Sequence, residues 1–242
     1  MSWVMKASLS LGVPVAHFEQ YAAADPDSPS AILPRTEFRA RSLELGAKRA
    51  MDIAVSLVAL IVLLPLLLAV AALIKLESPG PVFFRQARWG KDCKVVHVLK
   101  FRSMRLEHCD PTGVNQTIER DPRITRIGRF IRRTNIDELP QLFNVVKGDM
   151  SLVGPRCHPL GMLAAGVIYE NLVANYHERH VMRPGITGLA QARGLRGPTT
   201  RPAKARARIA ADIHYVKNFS LWLDLKIIYW TLLSEIRGGT GL

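Results

Sequence analysis

From Ile53 to Ile74 the chain runs for 22 residues in which Ser56 is the only polar side chain. As a straight helix this stretch reaches about 33 Å, enough for the ~30 Å hydrocarbon core of a bilayer. No other segment of the sequence approaches it. Lys48 and Arg49 precede it, and Lys75, Arg85, Arg88 and Lys91 follow it. The positive charge that normally marks the cytoplasmic end of a span is therefore present on both sides. Pro65 sits at the centre, where proline removes a backbone hydrogen bond and clashes with the preceding turn. Three arrangements fit this pattern. One is a kinked single-pass helix; another is a helix–break–helix that enters one leaflet and returns, leaving both flanks in the cytosol. The third, a buried helix of a soluble protein, is the weakest, given uninterrupted hydrophobicity over this length. The re-entrant form must find partners for the carbonyls that the break frees.

Around this segment the chain divides into three parts: a flexible leader over 1–45, the membrane segment over 46–77 and a cytosolic part over 78–242. In the leader, Asp25-Pro26-Asp27-Ser28-Pro29-Ser30 and Pro34 oppose both helix and central strand. Its first twenty-odd residues imitate a secretory signal, but Gly12 and Pro14 break the short apolar run. After the turn cluster Ser78-Pro79-Gly80-Pro81, the runs Val82-Phe83-Phe84 and Val95-Val96-His97-Val98-Leu99 read as short extended pieces. Ile124, Ile127, Phe130 and Ile131 recur at helical spacing, with Arg123, Arg126, Arg129, Arg132 and Arg133 on the other faces. Such a basic amphipathic helix either lies on anionic headgroups or packs on a core and offers arginine to a ligand. Further amphipathic stretches cover Ala205–Tyr215 and Leu221–Leu233, the latter carrying Trp222, Tyr229 and Trp230. Those aromatics suit a membrane interface, and core packing explains them almost as well.

The 242 residues carry 33 Lys+Arg against 20 Asp+Glu, a net charge of +13, and 23 of the basic residues are arginine. This surplus points to anionic partners: nucleic acid, an anionic membrane surface or phosphate-bearing substrates. Three cysteines, Cys93, Cys109 and Cys157, cannot all pair internally, which argues against a disulfide framework and favours a reducing compartment. His108 beside Cys109 has no partner pair at finger spacing, and the seven histidines show no clear ligand spacing.

Chemistry concentrates after the basic helix, in Thr134-Asn135-Ile136-Asp137-Glu138-Leu139-Pro140-Gln141-Leu142. Asn135 and Glu138 have the form of an N-cap and its capping-box partner. Asp137 and Glu138 are then acids in the first turn of a new helix, complementing its dipole. The functional alternative uses the same position. An aspartate can attack phosphorus to form an acyl phosphate, and a neighbouring acid can hold Mg²⁺ among arginines that spread the phosphoryl charge. Arg132, Arg133 and Arg156 are the arginines at hand. Neighbouring residues inside a helix do not share a face, so two acids serving one metal require a helix end. The sequence holds no P-loop, dinucleotide fingerprint, nucleophile elbow or H-E-x-x-H. Gly238-Gly239-Thr240-Gly241 has no helix after it.

The ordered motifs carry more than the composition does. They comprise Lys48-Arg49-Ala50-Met51-Asp52, Ser78-Pro79-Gly80-Pro81-Val82-Phe83-Phe84-Arg85-Gln86, Lys100-Phe101-Arg102-Ser103-Met104-Arg105 and Asp121-Pro122-Arg123-Ile124-Thr125-Arg126-Ile127-Gly128-Arg129. Then follow Asp137-Glu138-Leu139-Pro140-Gln141-Leu142-Phe143-Asn144-Val145, Lys147-Gly148-Asp149-Met150-Ser151-Leu152-Val153-Gly154-Pro155-Arg156 and Arg183-Pro184-Gly185-Ile186-Thr187-Gly188-Leu189-Ala190-Gln191. Over roughly three quarters of its length the chain closely resembles the bacterial sugar transferase family, monotopic phosphoglycosyl transferases that begin lipid-linked glycan synthesis. The resemblance implies an α+β, mainly helical fold. It comprises an N-terminal re-entrant membrane helix broken at Pro65, amphipathic interfacial helices and a small catalytic domain on the cytoplasmic face of the bacterial inner membrane.

It also implies transfer of a hexose-1-phosphate, glucose or galactose, from a UDP-sugar to polyprenyl (undecaprenyl) phosphate with release of UMP, as the first membrane step of exopolysaccharide or related glycan synthesis. Asp137 is then the nucleophile, Glu138 the Mg²⁺ ligand, and Arg132 and Arg156 the arginines for the anionic substrates. Arg196 joins them through Arg193-Gly194-Leu195-Arg196-Gly197, close to the Asn-Gly-x-Arg-Gly pattern of the exopolysaccharide branch. Asn218-Phe219-Ser220-Leu221-Trp222-Leu223-Asp224-Leu225-Lys226 resembles that branch as well. The expected partners are UDP-sugar, polyprenyl phosphate and membrane lipid, without nucleic acid, and homo-oligomer formation stays open. Two departures stand out: Cys157 occupies the position of a common family proline, and Leu64 that of the serine often found before Pro65. The readings that compete with the enzyme are a membrane-tethered module for anionic ligands, a catalytically degenerate assembly partner, and a phosphatase using the same aspartate.

Overall fold

The structure, a computed structural model, describes residues 41–105 and 121–236. The expected leader up to residue 40, His108, Cys109 and residues 238–241 fall outside them. Helix α1, Ser42–Glu77, is 36 residues long, about 54 Å at 1.5 Å per residue. It starts within the stretch read as leader. Pro65 lies inside α1 rather than between two helices. Proline withholds one N–H from the carbonyl four residues earlier, at Ile61, and the turns on either side stay helical, so the expected break is not an interruption of secondary structure. Among the described residues α1 is the one helix long and apolar enough to cross a membrane. Its polarity is inverted: Lys48, Asp52 and Ser56 are buried, whereas Ile61 and Val62 are 73% and 70% exposed. A core helix of a soluble protein buries the opposite set.

After α1, strands β1 (Phe83–Trp89) and β2 (Val95–Phe101) form an antiparallel hairpin with Phe83 opposite Phe101 and Trp89 opposite Val95. A 3₁₀ turn at Lys91–Cys93 joins them. Helix α2 (Arg126–Arg133) is capped by Thr125, whose Oγ1 accepts from the Gly128 N–H at 2.9 Å. A 3₁₀ turn at Ile136–Glu138 leads into α3 (Gln141–Lys147) and β3 (Ser151–Val153). A small hairpin, β4 (Leu163–Ala164) with β5 (Val167–Ile168), precedes α4 (Tyr169–Leu172) and a 3₁₀ segment at Tyr176–Val181. Strand β6 (Gly185–Thr187) pairs in parallel with β3. Helices α5 (Leu189–Ala192), α6 (Pro202–Lys217) and α7 (Leu221–Ile236) complete a mostly helical α+β fold.

Two interiors position the site. One gathers Val153, Met182, Leu189, Tyr215, Phe219 and Ile227, joining β3, α5, α6 and α7. The other packs Leu67, Val70 and Ile74 of α1 against Phe101 and Ile131. Helix α2 thus turns its apolar stripe inward through Ile131 while Phe130 stays exposed. Helix α1 is also tied by polar contacts. Lys48 Nζ donates to Asp224 Oδ2 at 2.6 Å, and Asp52 accepts from Ser151 Oγ (2.7 Å) and the Leu152 N–H (3.1 Å). Arg49 donates to the carbonyls of Val145 and Val146, which satisfies acceptors at the end of α3 that have no partner within the helix. At its far end the Glu77 carboxylate accepts from the N–H groups of Arg126 and Ile127 at 2.6 and 3.0 Å, closing the N-terminus of α2. On α7, Trp222, Leu225, Tyr229 and Leu232 form an exposed stripe at helical spacing, and Ile227 is buried on the other side. Trp230 packs against the core, so the aromatics expected at an interface divide between the two environments.

Candidate active site

A cavity of about 560 Å³ opens between β2, the Ile136–Glu138 turn, the loop after β3 and α7. Lys100, Arg132, Asp137, Glu138, Arg156 and Arg196 all line it. The five residues singled out from the sequence for chemistry therefore meet at one place. Pro65 is not among the lining residues.

The backbone around the two acids differs from the expected capping box. Asn135 adopts a left-handed conformation (φ 54°, ψ 14°) and makes no side-chain cap, a geometry that asparagine tolerates better than most residues. Its Nδ2 donates instead to Glu235 Oε2 on α7 at 2.7 Å. The carboxylate of Glu138 turns away from Asn135 because two cations hold it: Lys100 Nζ and Arg156 Nη2 reach its Oε1 at 2.6 and 2.7 Å. Two ion-paired hydrogen bonds outweigh the single bond that the carboxylate would accept from a backbone N–H as a cap. With one tight 3₁₀ turn in place of a helical first turn, neighbouring residues Asp137 and Glu138 face the same cavity.

Arg156 is positioned by a close backbone crossing. A Cβ on Gly185 would lie 2.1 Å from the Gly154 nitrogen, and one on Gly188 would lie 2.2 Å from the Gly154 carbonyl oxygen. Glycine at these sites lets the Gly154-Pro155-Arg156 loop lie directly on β6. Cys157, in place of the family proline, is buried with Val98, Val145 and Met150, and its carbonyl accepts from Arg88 Nη1 at 2.8 Å. The loop is thus held without a proline at position 157. Arg132 reaches Ser103 Oγ at 3.3 Å. Arg196 donates to Glu235 Oε1 at 2.5 Å; the same carboxylate that holds Asn135 therefore also orients the third expected arginine.

Electrostatics separate the two acids. Burial raises Asp137 to about 6; Lys100, Arg132 and Arg156 pull it down, while Glu138 adds to the upward push. Burial also acts to raise Glu138, but Arg156 and Lys100 overcome it and hold this carboxyl well below the usual range. Glu138 in turn strengthens the charge on Arg156. Paired carboxyls with divergent pKa values are what acid–base or nucleophilic assignments rest on. Asp137 is only 7% exposed, and among the described residues no hydrogen bond or ion pair reaches its carboxylate. A desolvated carboxylate without a donor, facing a cavity rimmed by cations, is arranged to act on an anionic electrophile.

Lys100 and Glu235 were not singled out for roles in the sequence. Lys100 stands within the Lys100-Phe101-Arg102 motif, but its link to Glu138 spans 38 residues and leaves no local pattern. Glu235 lies 100 residues from Asn135.

Comparison with known proteins places this arrangement. Residues 43–238 match the family model of the bacterial sugar transferases. The chain is 64% identical over 199 residues to the exopolysaccharide production protein PSS of Rhizobium leguminosarum bv. phaseoli, covering 82% of this chain and 100% of that protein. It is 46% identical over 208 residues to the UDP-glucose:undecaprenyl-phosphate glucose-1-phosphate transferase of Caulobacter vibrioides, covering 85% and 73% respectively. The Escherichia coli (strain K12) transferase of the same name is 45% identical over 187 residues, which make up 77% of this chain and 39% of that longer protein. With the matched region spanning α1 to the end of α7 and enclosing every residue of the cavity, the chain belongs to the bacterial sugar transferase family and is a phosphoglycosyl transferase.

Proposed function

We propose that this enzyme transfers a hexose-1-phosphate from a UDP-sugar to polyprenyl phosphate at the cytoplasmic face of the inner membrane, through a covalent aspartyl-phosphosugar. The observation that carries the reading is the buried, unpartnered carboxylate of Asp137 amid Lys100, Arg132 and Arg156. A carboxylate oxygen of Asp137 attacks the phosphorus that bears the sugar. The bond from that phosphorus to the bridging oxygen breaks, and the oxygen leaves with UMP. A phosphate oxygen of polyprenyl phosphate then attacks the same phosphorus, forming the polyprenyl-diphosphate sugar and returning the Asp137 carboxylate. Arg132 and Arg156 supply bidentate donors to phosphate oxygens. Arg196 reaches the same volume from beside α7.

Glu138 keeps Asp137 company as a charge that stays ionised. Its Oε2 has only a 3.4 Å contact with Arg156, so hard oxygen donors remain on both acids, which suits Mg²⁺ arriving with a diphosphate. Bound by Glu138, that ion would neutralise charge on the phosphoryl oxygens. The names of the relatives, which specify glucose-1-phosphate transfer to undecaprenyl phosphate, favour UDP-glucose as donor and exopolysaccharide synthesis as context.

The re-entrant topology is part of the same reading. Asp52 and Ile74 lie about 33 Å apart along α1, and both pack on one body, the first on β3 and the second on Phe101 and Ile131. A straight span would put ~30 Å of lipid between them. Seating α1 within one leaflet lets the same domain touch both ends while the Ile61 and Val62 side meets lipid.

The test is UMP release by the full chain in nanodiscs with Mg²⁺, polyprenyl phosphate and a panel of UDP-sugars. One sugar should yield UMP, and Asp137→Asn should yield neither UMP nor the mass of a phosphosugar adduct. Turnover by that variant would remove Asp137 from the nucleophile's role, and phosphate release without UMP would indicate a phosphatase.

A further inference from the structure

Away from the cavity, the 3₁₀ turn between β1 and β2 meets the 3₁₀ segment Tyr176–Val181. Three potential ligand atoms converge there. Cys93 Sγ lies 3.6 Å from His177 Nδ1 and 3.5 Å from His180 Nδ1, and the two Nδ1 atoms are 3.3 Å apart. None of the three residues lines the catalytic cavity, and the proposed reaction uses none of them.

We propose that Cys93, His177 and His180 form a second metal site, a Cys-His₂ centre for Zn²⁺. The spacing itself argues for it. Tetrahedral zinc with Zn–S about 2.3 Å and Zn–N about 2.0–2.1 Å sets sulfur about 3.5–3.6 Å from each nitrogen, and the nitrogens about 3.3–3.4 Å from each other. All three observed separations match.

Hydrogen bonding alone satisfies the triangle poorly. Each Nδ1 is either donor or acceptor, and a thiol brings one proton. Once the thiol donates to one imidazole and accepts from the other, the edge between the nitrogens has no proton left. One cation accepting three lone pairs satisfies all three edges together.

The local backbone favours the same outcome. In a 3₁₀ segment the side chains at i and i+3 eclipse, which sets the imidazoles of His177 and His180 on one face. Asp92 and Cys93 both hold positive φ, 53° and 56°, an uncommon conformation for two successive non-glycine residues. Trp89 packs edge-on against the His177 ring at 6.1 Å, and Tyr176 does so at 5.2 Å, giving the centre an aromatic wall. Cys93 and His177 are exposed and His180 is buried, so an ion can enter from water and reach an anchored ligand. Thiolate with imidazole selects borderline-soft divalent ions over Mg²⁺, which keeps this centre chemically separate from the carboxylate pair. Once filled, it would staple the β1–β2 turn to the segment whose Tyr176 hydroxyl meets His158 Nδ1 at 3.1 Å, on the wall of the cavity.

The full chain in detergent, stripped with chelator and kept reduced, is titrated with Co²⁺ as a visible probe. One equivalent should give a thiolate-to-cobalt charge-transfer band and intense tetrahedral ligand-field bands, both lost on adding one equivalent of Zn²⁺. Cys93→Ser should abolish the charge-transfer band while UMP release is retained, and His177→Ala should weaken Co²⁺ binding at least tenfold. Asp137→Asn should leave the bands unchanged, so failure of the catalytic reading and failure of this one are distinguishable. Absence of a charge-transfer band in the unmodified chain, or its persistence in Cys93→Ser, overturns the proposal.

Discussion

Asp52 and Asp224 lie between α1, β3 and α7 with every carboxylate oxygen met by a donor. Ser151 and the Leu152 N–H serve Asp52, and Lys48 and the Tyr215 hydroxyl serve Asp224. Asp137 and Glu138 also form a pair of acids among cations, but their partners are shared unequally. Glu138 Oε1 takes both Lys100 and Arg156, and Asp137 has no donor among the described residues. The first cluster is saturated and fastens a helix. The second is one partner short, among the described residues, at a carboxylate that faces the cavity; in the proposed reaction that is the carboxylate that attacks phosphorus. Buried polar groups are normally satisfied, so the shortfall, more than the presence of charge, sets the cavity pair apart from the pair that fastens α1.

Five substitutions and one titration probe that contrast. Asp137→Asn should lower turnover by at least about 10⁴-fold, the scale of losing a nucleophile, with a thermal midpoint unchanged or higher because a desolvated charge is gone. A large loss of stability would make Asp137 structural after all. Lys48→Met should do the reverse, destabilising by about 3–5 kcal/mol through the uncompensated Asp224 carboxylate, measured by unfolding in nanodiscs. Glu138→Gln should reduce kcat about 10²–10³-fold and blunt the response to Mg²⁺; an unaltered Mg²⁺ profile would dissociate it from the metal. Ser151→Ala should cost about 1–3 kcal/mol by stranding one oxygen of Asp52 and leave UMP release intact.

The smallest effect is a displacement along the pH axis. Asp137 is raised to about 6, so kcat/KM should climb with pH through an apparent value near 6 as the nucleophile ionises. For stability the sign is opposite: the advantage of the protonated form holds below the ordinary value of 3.8 and disappears as pH rises through about 6. Lys100→Met removes a cation that pulls Asp137 down, so the midpoint of the activity limb should move upward.

What the sequence disclosed follows the range of the interactions concerned. The apolar run of α1, the β1–β2 extended pieces and helices α2, α6 and α7 were readable because periodicity is local. The five cavity residues were readable because their motifs occur in a recognisable order. The capping box at Asn135 failed because a tertiary pair claimed Glu138, and no local rule foresees Lys100 arriving from 38 residues away. Cys93 is 84 and 87 residues from its two histidines, beyond any ligand-spacing rule. One signal was overlooked: Lys48, Asp52 and Ser56 repeat every four residues, a polar stripe on one helix face. Lys48 read as a topology charge conceals that it is an attachment point.

The Lys48–Asp224 pair joins positions 176 residues apart. At a synthesis rate of ~5–20 residues per second, Asp224 leaves the ribosome roughly 10–35 s after Lys48. The greasy face of α1 is therefore available to lipid long before its polar face has a counterpart. During that interval Lys48 and Asp52 have only water and headgroups to bind. A nascent chain in that state is better served by lying near the surface of one leaflet than by crossing it. The order of manufacture thus favours the same orientation as the proposed re-entrant seat, and α7, made last of the described helices, would act as the latch that makes it permanent.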